Sequence, residues 1–126
     1  MGQRNTLDLL EIFKDNDALE RYPAGSTIIE EGARGDLMYV VVEGRVRISL
    51  RHQLLAVVGK GDIFGEMVLI SPDIRSATVI ADTDCKLAPI DQASFDSMLR
   101  HVPDFSVHVM KVLAERLQNA YEMIEP

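Results

Sequence analysis

From Thr27 onward the chain breaks into short stretches rich in Val, Ile and Tyr, separated by glycine-containing turns, and this rhythm limits the fold more than any other feature. The stretches cover residues 27–30, 38–43, 46–50, 54–58, 63–64, 77–81 and 86–90. Their regular spacing predicts a small β sandwich or barrel rather than alternating strand and helix units. Tyr22-Pro23-Ala24-Gly25 is the turn that opens it. After Asp91 the strand signals stop: residues 91–100 and 103–124 carry helical spacing, the second with Pro103 near its first turn, where a missing amide hydrogen costs little. Ahead of the β region, residues 5–20 place Leu7, Leu10, Ile12 and Phe13 at roughly helical spacing behind Asn5 or Thr6 as cap. The order is helix, β unit, helix, helix, without internal repeat or linker.

All 126 residues, 1–126, suit one domain, and 47% apolar with 26% charged residues describes an ordinary globule. Thirteen basic against 20 acidic residues give a formal charge of −7, which disfavours direct DNA binding. Cys85 is the single cysteine, and the opening MGQRNTLDLL lacks the apolar run of a signal or membrane span, so a reduced, cytoplasmic protein without membrane contact is expected. In the last helix Met110, Leu113, Leu117, Ala120 and Ile124 form an a/d seam that Val109 and Tyr121 widen. Packing against the barrel and a dimer seam both account for that pattern.

The stretch from Gly61 to Val79 carries the chemistry. A strand ends at Phe64, Gly65 allows a tight turn, and Glu66 to Ile70 has the length of one helical turn, whose free amides suit an anion. Ser71-Pro72-Asp73 reverses the chain, and Arg75-Ser76 returns as the next strand begins. Arg75 can then meet the anion with a charge-assisted contact, while Ser76 adds a hydroxyl and an amide. A carboxylate beside a phosphate is repulsive unless it accepts from a neutral donor, so Glu66 suits a sugar hydroxyl. His52, His101 and His108 are scattered, which argues against a metal-dependent barrel enzyme and for solvated or capping roles. Ser71, Ser76 and Ser94 have no accompanying nucleophile pattern. Arg45, Arg47 and Arg51 alternate as a solvated strand face would, and Cys85 reads as a small semi-buried residue.

Phe-Gly-Glu-Met-Val-Leu-Ile-Ser-Pro-Asp-Ile-Arg-Ser-Ala-Thr-Val, from Phe64, resembles the phosphate-binding cassette of cyclic-nucleotide-binding domains. Such domains occur in catabolite-activator-type regulators, kinase regulatory subunits and gated channels. Tyr22-Pro-Ala-Gly25 with Ile28-Ile29-Glu30-Glu31-Gly32, and the run from Gly35 to Val46, are similar to the family's barrel signature. The resemblance implies a mainly β fold with flanking α-helices, a double-stranded β-helix (β-roll) of about eight strands over residues 22–90, with the cassette at 64–78, an N-terminal helix at 5–20 and helices in 91–126. It implies cyclic AMP or cyclic GMP as ligand, no cofactor, no metal and no catalysis. Glu66 would accept from the ribose 2′-hydroxyl, Arg75 and Ser76 would hold the phosphate, and the backbone at Gly65 and Met67 would approach it. Phe64, Val68 and Ala77 would be secondary contacts. Val68 stands where the family usually has Ala or Ser, Ile74 where Pro is frequent, and Ala120-Tyr121 where the bacterial regulators contact the purine through Thr-Ser. The expectation is a free-standing sensor that signals by moving its helix from about Pro103 onward, with a second copy or an effector protein as reader. A ligand-independent dimerisation module of the same fold, or a fragment of a larger regulator or channel, are the alternatives.

Overall fold

The computed structural model describes Ile12, residues 18–66, Leu69 and residues 77–124. Among them the strands are β1 (Glu20–Tyr22), β2 (Thr27–Ile29), β3 (Met38–Glu43), β4 (Val46–Leu50), β5 (Gln53–Val58), β6 (Ile63–Phe64), β7 (Thr78–Ala81) and β8 (Cys85–Ile90). Helices α1 (Gln92–His101) and α2 (Phe105–Ile124) come after them. The strands pair antiparallel into two four-stranded sheets, β1-β8-β3-β6 and β2-β7-β4-β5. This is the mainly β roll with flanking helices that the sequence implies, and the expected strands return with ends moved by no more than one residue. β1 is an addition: Glu20, the expected end of the first helix, instead pairs with Leu87, and Tyr22 with Cys85. Of the expected helix at 5–20, Ile12 is helical and 13–17 and 1–11 lie outside the described residues.

The sequence MYVVVE of β3 is buried at every position but the last, because the strand serves two cores. Side chains alternate across a strand, so Met38, Val40 and Val42 face one side and Tyr39 and Val41 the other. The first set joins Ile63, Ala88 and Ile90 beneath Phe95, Met98, Phe105, Val109 and Val112 of the helices. The second joins Val46, Ile48, Val58, Phe64, Val79 and Leu87 inside the roll. The molecule is therefore layered as helices, first sheet, second sheet. Asp91 caps α1, its carboxylate accepting from the Ser94 amide at 2.8 Å, and that bond holds the Asp91 carboxyl below its ordinary range. Phe95 and Phe105 then meet edge to face, with centroids 5.7 Å apart, and join α1 to α2. α2 begins at Phe105 rather than Pro103, because Asp104 adopts a left-handed conformation (φ 68°) in the turn between the helices.

Two turns nest beside the roll. Gly44, between β3 and β4, has φ 89°, and a Cβ there would overlap the Asp84 carbonyl oxygen in the turn before β8. That close approach lets the Arg45 amide donate to Thr83 Oγ1 at 3.0 Å and the Asp82 amide donate to the Arg45 carbonyl at 3.0 Å. Arg45 Nε also pairs with Asp82 at 2.6 Å, with Arg47 3.8 Å away. The three arginines do not share one strand face, since Arg45 precedes β4 and Arg51 occupies the β4–β5 turn with φ 52°. Gly44→Ala is expected to lower unfolding free energy by about 3 kcal/mol, from left-handed strain plus overlap. Gly25→Ala, equally left-handed but with open space around it, is expected to lose about 1 kcal/mol. Urea unfolding of both variants measures the difference, and equal losses would refute the nesting account.

Candidate functional site

β6 is an edge strand of only two residues, and the site begins where it ends. Phe64 is fully buried in the roll, its ring stacked on Tyr39 at 5.3 Å. Gly65, at φ 79°, then turns the chain in a conformation that glycine adopts without strain. The Glu66 carbonyl accepts from the Leu69 amide at 3.1 Å, and Leu69 is helical and buried in the helix-side core. Anchored at both ends in this way, the turn sends the Glu66 side chain inward. Glu66 is 3% exposed, the one buried charged residue among those described.

α2 supplies the counter-charge. Arg116 Nη1 lies 3.6 Å from Glu66 Oε2, while Arg116 Nη2 donates to the Ile63 carbonyl of β6 at 2.9 Å. Glu66 Oε1 has no hydrogen-bond partner among the described residues. Burial pushes the Glu66 carboxyl above its ordinary value, the nearby Asp62 charge adds to this, and Arg116 and the residue's own amide oppose it. About two turns nearer the start of α2, His108 Nε2 stands 3.5 Å from Asp62 Oδ1, which also accepts from the Ile63 amide at 2.8 Å. The helix thus bonds the β6 backbone and pairs with the turn after it through Arg116, while His108 lies beside Asp62 without a hydrogen bond. His108 is half-buried beside Asp62 rather than in the solvated or capping role expected, because α2 turns it toward the roll. His52 and His101 are exposed.

Of the sequence-predicted residues, Phe64, Gly65, Glu66 and Ala77 are described, and Met67, Val68, Arg75 and Ser76 lie outside the described residues. Ala77 packs against the core of the roll. Hydrophobic spacing does not single out Arg116. Its signal is a second stripe in α2: Phe105, Val109, Val112, Arg116, Asn119 and Met123 step by four, three, four, three and four residues, and this is the face turned inward. The a/d seam is divided: Leu113 is half-buried and packs against the helix-side core, whereas Met110 is 60% and Leu117 62% exposed. Cys85, expected to be semi-buried, is buried at the start of β8, with Sγ 3.2 Å from the Thr83 carbonyl, and burial pushes its thiol up. No group of three or more His, Cys, Asp or Glu side chains suited to a metal ion occurs among the described residues.

The family model described as the cyclic nucleotide-binding domain matches residues 19–102, both sheets and α1 included. The chain belongs to the cyclic nucleotide-binding domain family. It is 30% identical over 121 residues to the cAMP-activated global transcriptional regulator CRP of Pasteurella multocida, a match covering 91% of this chain and 58% of that protein. The Thermus thermophilus catabolite activator protein superposes with a TM-score of 0.76 at 27% identity, over 94% of this chain and 58% of that one. "Sp-2Cl-cAMPS bound to PKAR CBD2" superposes with a TM-score of 0.70 at 26% identity, over 88% and 84%. This chain therefore spans little more than half the length of its bacterial relatives. Within this cyclic nucleotide-binding domain, Glu66 lies inside the family match and Arg116 lies beyond its end.

The raised carboxyl of Glu66 sets a sign for stability against pH. A folded-state value above the unfolded one means that its contribution is fully present below the ordinary glutamate range and is lost as pH rises through the folded value. Glu66→Gln lacks that titration. The melting temperature of wild type minus that of Glu66→Gln is expected to fall as pH rises from 4.5 toward 8, and a flat or rising difference in pH-series melts would contradict the assignment.

Proposed function

We propose that the chain is a sensor domain for a cyclic mononucleotide, cyclic AMP or cyclic GMP, bound without covalent chemistry or turnover and without a cofactor. The observation that carries the reading is Glu66: a buried carboxylate behind a glycine turn, with one oxygen beside Arg116 and the other without a partner among the described residues. A ribose hydroxyl is the neutral donor that such an acceptor suits. Arg75 and Ser76 hold the cyclic phosphate, the backbone at Gly65 and Met67 lies alongside it, and Phe64, Val68 and Ala77 support the pocket. The Pasteurella relative is described as cAMP-activated, which favours cyclic AMP over cyclic GMP.

The ligand signal leaves through α2, since Arg116 belongs to that helix and touches Glu66. Its reader is a second copy of the chain docked on the exposed stripe of Met110, Leu117 and Tyr121, or an effector protein. That stripe also favours the alternative function, a module that dimerises whether or not nucleotide is present. Light scattering with and without cyclic AMP separates the two. At −7 the domain's net charge disfavours DNA binding through its own surface. None of the described helices is long and apolar enough to cross a membrane, and a cytoplasmic location accords with the single cysteine.

A thermal melt with millimolar cyclic AMP or cyclic GMP tests the ligand, because anything that binds the folded state raises its stability, by about 2.7 kcal/mol at a hundred times Kd. Arg75→Ala removes the charge-assisted phosphate contact, and calorimetry is expected to register roughly a hundredfold weaker binding. Unchanged affinity in that variant would sink the site assignment, and no stabilisation by either nucleotide would favour the ligand-independent module.

A further inference from the structure

The two sheets end, on the side that α2 crosses, in the edge strands β6 and β5. Each gives a backbone carbonyl to that helix. Ile63 O of β6 accepts from Arg116 Nη2 at 2.9 Å, and Leu55 O of β5 accepts from Asn119 Nδ2 at 3.1 Å. Side chains three apart on a helix share a face, so one turn of α2 reaches both sides of the seam between the sheets. The helix is held differently along its length. Phe105, Val109 and Val112 anchor its first half in the core, whereas beyond Val112 none of its described side chains is buried. There, past a half-buried Leu113 on the edge of the core, the inward stripe passes to Arg116 and Asn119, which make polar contacts to edge carbonyls.

We infer that Asn119 is a positioning residue: its carboxamide, donating to the Leu55 edge carbonyl, pins the distal half of α2 across the seam and so keeps Arg116 within reach of Glu66. Arg116 alone fixes one point of that half-helix against the first sheet, and a second point on the other sheet is needed to stop it swinging. Asn119 is the side chain that supplies it. The consequence for signalling rests on the reading of Glu66 as a ligand contact, but the latch itself is a property of the ligand-free protein.

Hydrogen–deuterium exchange on the full chain, resolved by segment, tests it. Asn119→Asp keeps the shape but sets an acceptor against an acceptor, Asn119→Leu removes the donor without that repulsion, and Gln118→Glu makes the same charge change on the exposed neighbouring position. Loss of one such hydrogen bond is expected to speed exchange of residues 116–124 roughly five- to tenfold in Asn119→Asp, less in Asn119→Leu and not at all in Gln118→Glu, with residues 105–112 unchanged throughout. A steric role predicts the opposite order, Leu above Asp. Wild-type protection in Asn119→Asp, that reversed order, or equal acceleration of both halves of α2 would overturn the inference. Saturating cyclic AMP is then added to wild type and Asn119→Asp. The ligand-dependent change at 116–124 is expected to fall to less than half in the variant, and an equal change in both proteins overturns the positioning role. If cyclic AMP alters neither while the ligand-free difference persists, the ligand reading fails and the latch stands.

Discussion

Because β3 lies between β8 and β6 with both faces buried, it divides the interior into two cores that share one sheet, and the position of every other element depends on that division. A one-residue slip in its register would send Met38, Val40 and Val42 into the roll and Tyr39 and Val41 under the helices, so register is tightly specified. β6 is held to β3 through Tyr39↔Phe64 and Val40↔Ile63, which fixes where the chain leaves the sheet. Phe64 must point into the roll and Ile63 toward the helices. Two residues later Glu66 emerges beneath α2 with nowhere to go but inward. The burial of this carboxylate is a consequence of how β3 is packed.

A buried carboxylate has to be compensated, and here Arg116 compensates it incompletely. At 3.6 Å and an effective dielectric of about 20, the attraction between Arg116 and Glu66 is about 5 kcal/mol, against a burial penalty of several kcal/mol per ion. The direction of the Glu66 shift says that burial holds the upper hand. An added donor to this carboxylate therefore matters, because a hydrogen bond to a charged group contributes about 1.5–3 kcal/mol. Arg116 also donates to the Ile63 carbonyl, so the guanidinium does not depend on Glu66 alone for its partners. The carboxylate is the more weakly satisfied of the two, which makes it the end of the pair at which an added donor has most effect.

The strands were legible because period-two burial and glycine breaks are local, and each leaves its mark within a few residues. The turn at Gly65 and the singular position of Glu66 were legible for the same reason. β1 was hidden because Glu20, Arg21 and Tyr22 are half-exposed at a sheet edge, where the apolar alternation that marks a strand is absent. In α2 two stripes compete. The seam through Met110, Leu113 and Leu117 is the more apolar, yet only Leu113 of these three packs on the core, half-buried, while the stripe through Phe105, Val109 and Val112 is buried in it. Its continuation is polar, so a reading that tracks hydrophobic spacing loses the inward face at Arg116 and Asn119, the positions that meet the site and the sheet edges. Their partners, Ile63 and Leu55, lie more than fifty residues away and offer carbonyls, which no side-chain pattern reports.

Placing the two stripes on one helix has a thermodynamic consequence. In the distal half the inward stripe touches the Glu66 turn and the seam, the outward one exposes Leu117 and Tyr121, and within the same turns of a helix neither face moves without the other. If occupancy of the site shifts the distal half of α2, a partner seated on the outward stripe must shift affinity at the site by the same factor, since coupling between two binding events is reciprocal. The size of that factor is bounded by the contacts that differ between the two helix positions: the Arg116–Glu66 contact and the bonds to Ile63 and Leu55. Three such contacts, at about 1 kcal/mol each, permit coupling of roughly a hundredfold. The apolar anchor at Phe105, Val109 and Val112 stays out of that sum, because moving it would open the core, and a transition that expensive would be unfolding rather than signalling.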